Sequence, residues 1–227
     1  AARIDNAARI PEYIARAFDT ASSGRPGPVV LALPEDMLRD EVEALDRPKV
    51  VAPAQPLCPD AMTTLTDMLR DATDPIAIVG GAGWDDKAKQ YFVQYAERIG
   101  LPVAVAFRRQ DSFPNTSPVY AGNLGYGPNP KLVQRIKDAD LVLAVGARLG
   151  EATTDGYTLI TPDHPEQILV HVHPDPDELN HVYRIDLPIC AEMDEFTEQA
   201  ALWEDDLLSF DAGKAAHEDY LAWSTPQ

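Results

Sequence analysis

Cysteine is scarce in this chain. Only Cys58 and Cys190 occur in 227 residues, and neither has a neighbour at metal-ligand spacing. This excludes a disulfide-stapled secreted scaffold and a zinc finger, and the apolar context of both predicts reduced, packed thiols. Basic residues are also few: 19 Lys and Arg face 37 Asp and Glu, for a formal net charge of -18. Such a surface repels nucleic acid and anionic membrane, and no basic stripe with interleaved aromatics offsets it. No apolar run reaches the roughly 20 residues of a membrane span, and no basic-then-apolar leader opens the chain, so a cytoplasmic protein is expected. An initiating Met is missing as well, and the opening residues read as the inside of a helix, which predicts a piece of a longer protein. No elbow motif surrounds any Ser and neither Cys lies at a glycine turn, which argues against a nucleophilic enzyme.

What is present centres on Ile76 to Gly83, Ile-Ala-Ile-Val-Gly-Gly-Ala-Gly, a short apolar run ending in three glycines within four positions. A run of this kind reads as a parallel strand buried on both faces, followed by a sharp turn that lets backbone approach a ligand. Asp85 can cap the next helix, whose face carries Ala88, Tyr91, Phe92, Tyr95, Ala96 and Ile99 and which Gly100 closes. Leu101 to Phe107 gives a second apolar run, completing a strand, glycine turn, helix, strand unit with an anion-attracting helix N-terminus. A dinucleotide fingerprint would place an acid about 20 residues past the glycines. Ala104 to Arg109 contains none, with Arg108 and Arg109 there instead, so ordinary NAD binding is disfavoured.

Taken in order, the apolar face of residues 9 to 22 predicts a helix, with Asn6 available as a cap, and Val29 to Leu33 predicts one strand without a partner. Residues 35–59 are polar and broken by Pro48, Pro53, Pro56 and Pro59, which predicts an extended linker. Asp60 then caps a helix bearing Leu65, Met68 and Leu69. After the central unit come a weak strand at Val119 and Tyr120, the glycine-rich loop Gly122 to Gly127, and a helix capped by Asn129. Leu141 to Val145, Ile168 to His173 and Ile185 to Cys190 complete six strands, and a polar helix with a frayed end starts near Asp211. The acidic run from Glu192 through Glu204, Asp205 and Asp206 to Asp211 reads as a solvated helix face. Strands alternating with helices predict an α/β fold, a doubly wound and mostly parallel six-stranded sheet of Rossmann-like type, with ligands beyond the carboxyl ends of the strands. Gly80, Phe107, Gly125, Gly146 and His173 converge there. Arg148, two residues past Gly146, is either a fork for a phosphate or a surface arginine paired with Glu151 or Asp155. His171 and His173 share a strand face, and packed or capping histidines are commoner than zinc ligands at such positions, with no fourth ligand evident.

The succession Gly27-Pro-Val-Val-Leu-Ala-Leu-Pro34-Glu-Asp, proline-rich linker, Val79-Gly-Gly-Ala-Gly, Gly100-Leu-Pro-Val, Gly122-Asn-Leu-Gly, Ala139-Asp-Leu-Val-Leu-Ala-Val-Gly146-Ala-Arg and Val170-His-Val-His-Pro-Asp resembles the acetolactate synthase family of thiamine-diphosphate enzymes. The resemblance implies that residues 1–34 are the tail of an N-terminal pyrimidine-binding domain, 35–59 a linker, 60–210 the central α/β domain, and 211–227 a helix leading to a C-terminal diphosphate-binding domain. It implies a parent enzyme that uses thiamine diphosphate and magnesium on 2-keto acids, by decarboxylation or carboligation, as a homodimer or homotetramer. The cofactor-holding residues would lie in the flanking domains, leaving the fragment without catalytic residues of its own. Asp155-Gly156 with Asn180 imitates a magnesium motif, but Thr154 replaces its first glycine and no strand precedes it.

In several members of that family the central domain binds FAD or an ADP-like group, and in others it binds nothing. By position, the resemblance would put Gly80, Gly81 and Gly83 at the diphosphate, Phe107 and Arg108 after the second strand, and Leu124, Gly125, Gly146, Ala147 and Arg148 along the cleft. This chain departs from the flavin binders at Leu149, Gly150 and Glu151, where they carry an acidic pair, and at His173, where they hold ribose with an acid. Each lost charge-assisted bond is worth about 1.5–3 kcal/mol. Two other readings use the same residues: a stand-alone module for FAD, ADP or coenzyme A, and an NAD-consuming enzyme of sirtuin type. The second lacks both the ribose acid and a positioned base.

Overall fold

The computed structural model describes residues 1–23, 26–50, 56–203 and 208–225, in two compact units, Ala1–Ala54 and Gln55–Gln227. In the first, Ala2–Arg3 (β1) pairs in parallel with Leu31–Ala32 (β2). The helix Ile10–Ser22 (α1) follows a 3-10 turn at Ala7–Arg9, where the Asn6 side chain accepts the Ala8 N–H. This corrects two expectations: the chain opens on a strand, and the strand near Val29 to Leu33 has a partner. A two-residue strand offers no alternation to read. Ile4, Ala7 and Met37 bury a small core against Ile10, Tyr13 and Leu31. The region expected to be an extended linker contains a 3-10 turn at Met37–Arg39. Pro53 lies outside the described residues, as do residues 24 and 25 of the expected turn from Ser22 to Pro28.

The second unit starts with the helix Pro59–Asp71 (α2), whose N-cap is Cys58. Asp60, expected as that cap, sits instead in the first turn, where its charge meets the positive helix end. Pro59 decides the boundary, because its fixed φ and missing N–H suit the first helical position. The strands Pro75–Val79 (β3), Val103–Val105 (β4), Tyr120–Asn123 (β5), Leu141–Val145 (β6), Ile168–His173 (β7) and Leu187–Cys190 (β8) form one six-stranded sheet in the order β5-β4-β3-β6-β7-β8. All five pairings are parallel. Three strands differ in extent from the sequence reading. β4 is shorter, with Pro102 and Ala106 at its ends still bonding Ala77 and Val79 through backbone, β5 runs on into the glycine-rich stretch, and β8 begins two residues late.

β3 and β6 are buried throughout, and their successive side chains point to opposite faces as the pleat requires. Ala77 and Val79 face one core with Leu65, Leu69, Phe92, Tyr95, Ile99 and Phe196, while Ile76 and Ile78 face the other with Leu132, Ile136, Ile160 and Leu169. The helix Asp86–Ile99 (α3) lies on the first face. Asp85 accepts the Ala88 N–H at 2.7 Å, Ala88, Phe92, Tyr95, Ala96 and Ile99 are buried, and Gly100 ends the helix at φ 69°. The helix Pro130–Asp138 (α4), capped by Asn129, covers the second face with Leu132 and Ile136.

The acidic run does not form a wholly solvated face. The helix Met193–Leu202 (α5) buries Met193, Phe196, Thr197 and Ala200, and its Glu198 meets Lys87 at 3.2 Å. Glu204, Asp205 and Asp206 are outside the described residues. The last helix, Ala212–Ser224 (α6), is docked on the sheet, and residues 226 and 227 of the expected frayed end lie outside the described residues. Gly213 N–H donates to Gly100 O at 3.0 Å, and His217 Nδ1 donates to the Tyr120 carbonyl, on edge strand β5, at 3.0 Å. A helix laid over an edge strand hides groups that would otherwise pair with another chain. No helix among the described residues is long and apolar enough to cross a membrane.

Candidate functional site

Strand order reverses between β3 and β6, since β3 crosses over to β4 on one side and β6 to β7 on the other. In doubly wound sheets a crevice opens beyond the carboxyl ends at that point. Here the two strand tips meet through glycine. Gly81 has φ 75°, and a Cβ on it would overlap the Gly146 carbonyl oxygen; Gly146 has φ 68°, and its Cβ would lie 2.6 Å from Gly80 O. A Cβ on Gly80 would sit 2.6 Å from Ala106 Cβ and 3.4 Å from Ala147 Cβ. Gly80, Gly81, Gly146 and Ala147 therefore form one cluster, in which Gly80 and Gly146 meet as the sequence predicts, without Phe107, Gly125 and His173 among its nearest contacts.

Two side chains that sequence reasoning missed occupy the space above it. Trp84, 8% exposed, donates its indole N–H to Gly80 O at 2.6 Å and packs edge-on against Phe92 at 5.8 Å. Met193, the first residue of α5, is fully buried, with Sδ 2.8 Å and Trp84 Nε1 3.2 Å from where a Gly146 Cβ would be. Gly83 approaches the same methionine, its would-be Cβ 3.4 Å from Met193 Cγ. The signal for Trp84 is a large apolar residue immediately after the glycine turn. For Met193 there is none, because it arrives from a distant helix.

A second cluster lies beyond β4 and β5. Phe107 packs edge-on against the exposed Tyr126 at 5.3 Å, and the Arg108 guanidinium stands 5.0 Å from the Phe107 ring. Gly125 has room for no side chain, since its Cβ would come 2.5 Å from Phe107 Cδ2. Leu124 N–H bonds Val105 O and its side chain is buried, while Phe107 N–H donates to Thr153 Oγ1 at 3.3 Å.

Arg148 pairs with neither Glu151 nor Asp155 but with Glu178, from the turn after β7. Its Nε lies 3.2 Å from Oε2 of a carboxylate only 7% exposed. His171 donates Nε2–H to Ala147 O at 2.8 Å; burial pushes its pKa down to about 4, against the pull of that hydrogen bond. The imidazole is neutral at pH 7. His173 Nδ1 accepts the Asp175 N–H at 3.1 Å, and the two rings lie 5.8 Å apart. Both act as packed or capping residues, and among the described residues no three His, Cys, Asp or Glu side chains converge to hold a metal ion. Asp155 and Gly156 sit in a left-handed turn well past β6. Cys190 is half-buried, its thiol pushed up by burial and directed at Pro174 O; Cys58 is exposed, not packed.

Every non-glycine residue with positive φ among those described, Arg108, Leu149, Asp155, Tyr157 and Asn180, follows the carboxyl end of β4, β6 or β7. Left-handed backbone costs an L residue about 1–2 kcal/mol, and such strain gathers where a surface has work to do.

Residues 62–200 match the family described as the thiamine pyrophosphate enzyme, central domain. The chain is 27% identical over 224 residues to an acetolactate synthase large subunit of Corynebacterium glutamicum, spanning 97% of this chain and 34% of that protein. It is 31% identical over 225 residues to a sulfoacetaldehyde acetyltransferase of Alcaligenes xylosoxydans xylosoxydans, spanning 96% and 36%. The chain thus covers about a third of the length of these curated relatives. The fold is shared with benzoylformate decarboxylase of Polynucleobacter necessarius, at a TM-score of 0.71 and 22% identity over 93% of this chain and 38% of that one. These matches favour the thiamine-enzyme reading over a stand-alone nucleotide module or a sirtuin-like enzyme.

Proposed function

We propose, from the premise that this chain belongs to the thiamine pyrophosphate enzyme family through its central domain, that the protein it serves acts on a 2-keto acid by decarboxylation or carboligation. The observation that carries the reading is that one segment, residues 62–200, both matches the central-domain family and folds as the six-stranded parallel sheet. The names of two relatives, an acetolactate synthase large subunit and a sulfoacetaldehyde acetyltransferase, support a reaction that joins or transfers an acyl group.

In this proposal residues 1–34 end a pyrimidine-binding domain, 35–59 link it, and the sheet stands between the two cofactor-holding domains. α6 goes with the sheet, because it covers the β5 edge. Thiamine diphosphate supplies carbanion stabilisation when bound. Holding it and magnesium falls to the flanking domains. The work of this segment is positional: its strained carboxyl-edge loops, around Arg108, Leu149 and Asp155 to Tyr157, form the surface presented to those domains and to the substrate channel. The whole enzyme is placed in the cytoplasm as a homodimer or homotetramer.

The test compares the complete reading frame with the 227-residue chain, each with pyruvate, thiamine diphosphate and magnesium, by carbon dioxide release and product analysis over a panel of 2-keto acids. Turnover by the complete protein and none by the chain alone is expected. Turnover by the chain alone, or none by the complete protein on any 2-keto acid, overturns the proposal.

A further inference from the structure

We infer that the crevice at the β3–β6 switch point is filled by this chain's own side chains and holds no FAD or ADP-like group. The first ground is space. A dinucleotide site needs its glycines open, so that the diphosphate can approach backbone N–H groups at the start of the following helix. Here Gly81 and Gly146 are spent on each other, and Trp84 and Met193 cover them, with the indole N–H already bonded to Gly80 O at 2.6 Å. The space above Gly146 does not admit a methyl group.

The second ground is charge. Arg148, the one cation just past the tip of β6, is paired with Glu178 at 3.2 Å. The Nε of that guanidinium is committed to a carboxylate only 7% exposed, so a ligand phosphate would meet a cation whose charge is already shared with a buried anion. The third ground is the sugar. No acid stands between Ala104 and Arg109 to accept from ribose hydroxyls, and the His173 Nδ1 lone pair is engaged by the Asp175 N–H. Three independent parts of a nucleotide, then, meet groups already in use.

The crevice is a packing joint. Trp84 and Met193 do for the strand tips what a bound nucleotide does in other doubly wound sheets: they cover the glycines and tie α3 and α5 to the sheet.

Purified chain is titrated calorimetrically with FAD, ADP and coenzyme A, each to about 1 mM, and its melting temperature is read with and without each probe. No saturable heat, no flavin absorbance in the purified protein and no shift in melting are expected. Trp84→Ala is expected to lower the melting temperature by about 5 °C or more with no probe present, because the filler is gone. Flavin retained through purification, or saturable binding weakened about tenfold or more by Arg148→Met, overturns the inference, as does an unchanged melting temperature in Trp84→Ala. Saturable binding that Arg148→Met leaves intact also overturns it where binding changes the Trp84 indole fluorescence, read as the difference from Trp84→Phe; binding without that change lies outside the crevice, and the inference stands. None of these readouts needs thiamine diphosphate or turnover, so the result is separate from the fate of the catalytic reading.

Discussion

Glycine brings backbone against backbone at both ends of this sheet, and the two ends differ in what fills the gap. At the carboxyl edge Gly81 meets Gly146 and the space above is taken by Trp84 and Met193. At the amino edge Gly100 overlaps the Phe210 carbonyl if given a Cβ, and a Cβ on Gly213 would come within 2.5 Å of Gly100 O and 2.7 Å of Val119 Cγ1. There a whole helix, α6, has moved in. A cluster of glycines therefore reports close approach, and the identity of what approaches, ligand, side chain or helix, comes from elsewhere in the chain. The edges also differ electrically: the carboxyl edge keeps a neutral buried histidine, whereas the amino edge is laced by the Asp219 carboxylate between Lys131 and Arg135.

The sharpest way to break the comparison is to add one methyl group at each end. Gly81→Ala combines a left-handed φ of 75° with overlap on a backbone oxygen that cannot swing aside, so a loss of about 4 kcal/mol or more is expected in urea denaturation. Gly213→Ala carries no φ penalty, and its contacts can ease by a small shift of α6, so about 1–3 kcal/mol is expected. Amide exchange should show the second loss confined to residues 212–224. Equal losses, or a global loss in both, would mean that α6 is as integral to the sheet as the switch point.

The next test uses pH. His171 titrates near 4 when folded and near 6.5 when unfolded, so below 6.5 the unfolded chain binds the proton first and stability falls as pH drops toward 4. About 1.4 kcal/mol per pH unit gives a total of about 3 kcal/mol, present in full above pH 6.5 and lost by pH 4. His171→Gln keeps an amide donor for Ala147 O and has no proton to gain. Its stability should fall less steeply than wild type between pH 6.5 and 4, with the gap closing as pH falls. Parallel curves would show that the buried imidazole does not govern the carboxyl edge.

How much of this was legible in the sequence follows from the same physics. Strands buried on both faces read directly as apolar runs, so β3, β6 and β7 were found at nearly their observed bounds, and Asp85, Gly100 and Asn129 announced helix ends through their caps. β1 was invisible because two residues carry no period. β4 was overextended because apolarity marks burial, not pairing. At the site, the glycines converge as their pattern suggested, but the occupants of the gap, Met193 and Glu178, are brought by α5 and by the turn after β7, and nothing local to the glycines encodes them. Arg148 shows the limit well: its neighbours Glu151 and Asp155 looked like partners by spacing, yet the loop turns left-handed at Leu149 and the carboxylate that meets it comes from Glu178.

The smallest effect is at the amino edge and separates charge from shape there. Asp219, on α6, bonds Lys131 and Arg135 through its carboxylate while its backbone oxygen accepts from Asn129 Nδ2 at 3.1 Å. Hydrogen bonds from Lys131 and Arg135 hold its pKa below the ordinary carboxylate value. The folded state therefore resists protonation more than the unfolded one, and the pair's contribution is complete above about pH 4 and is lost progressively as pH falls through the lowered folded pKa. Asp219→Asn removes the charge and leaves the Asn129 bond and the glycine contact in place. Because the pair is partly solvated, a loss of about 0.5–1 kcal/mol at pH 7 is expected, smaller at about 0.5 M salt and shrinking as pH falls below about 4. A loss as large as that of Gly213→Ala, unaffected by salt, would assign the docking of α6 to the ion pairs and not to the backbone contact that glycine permits.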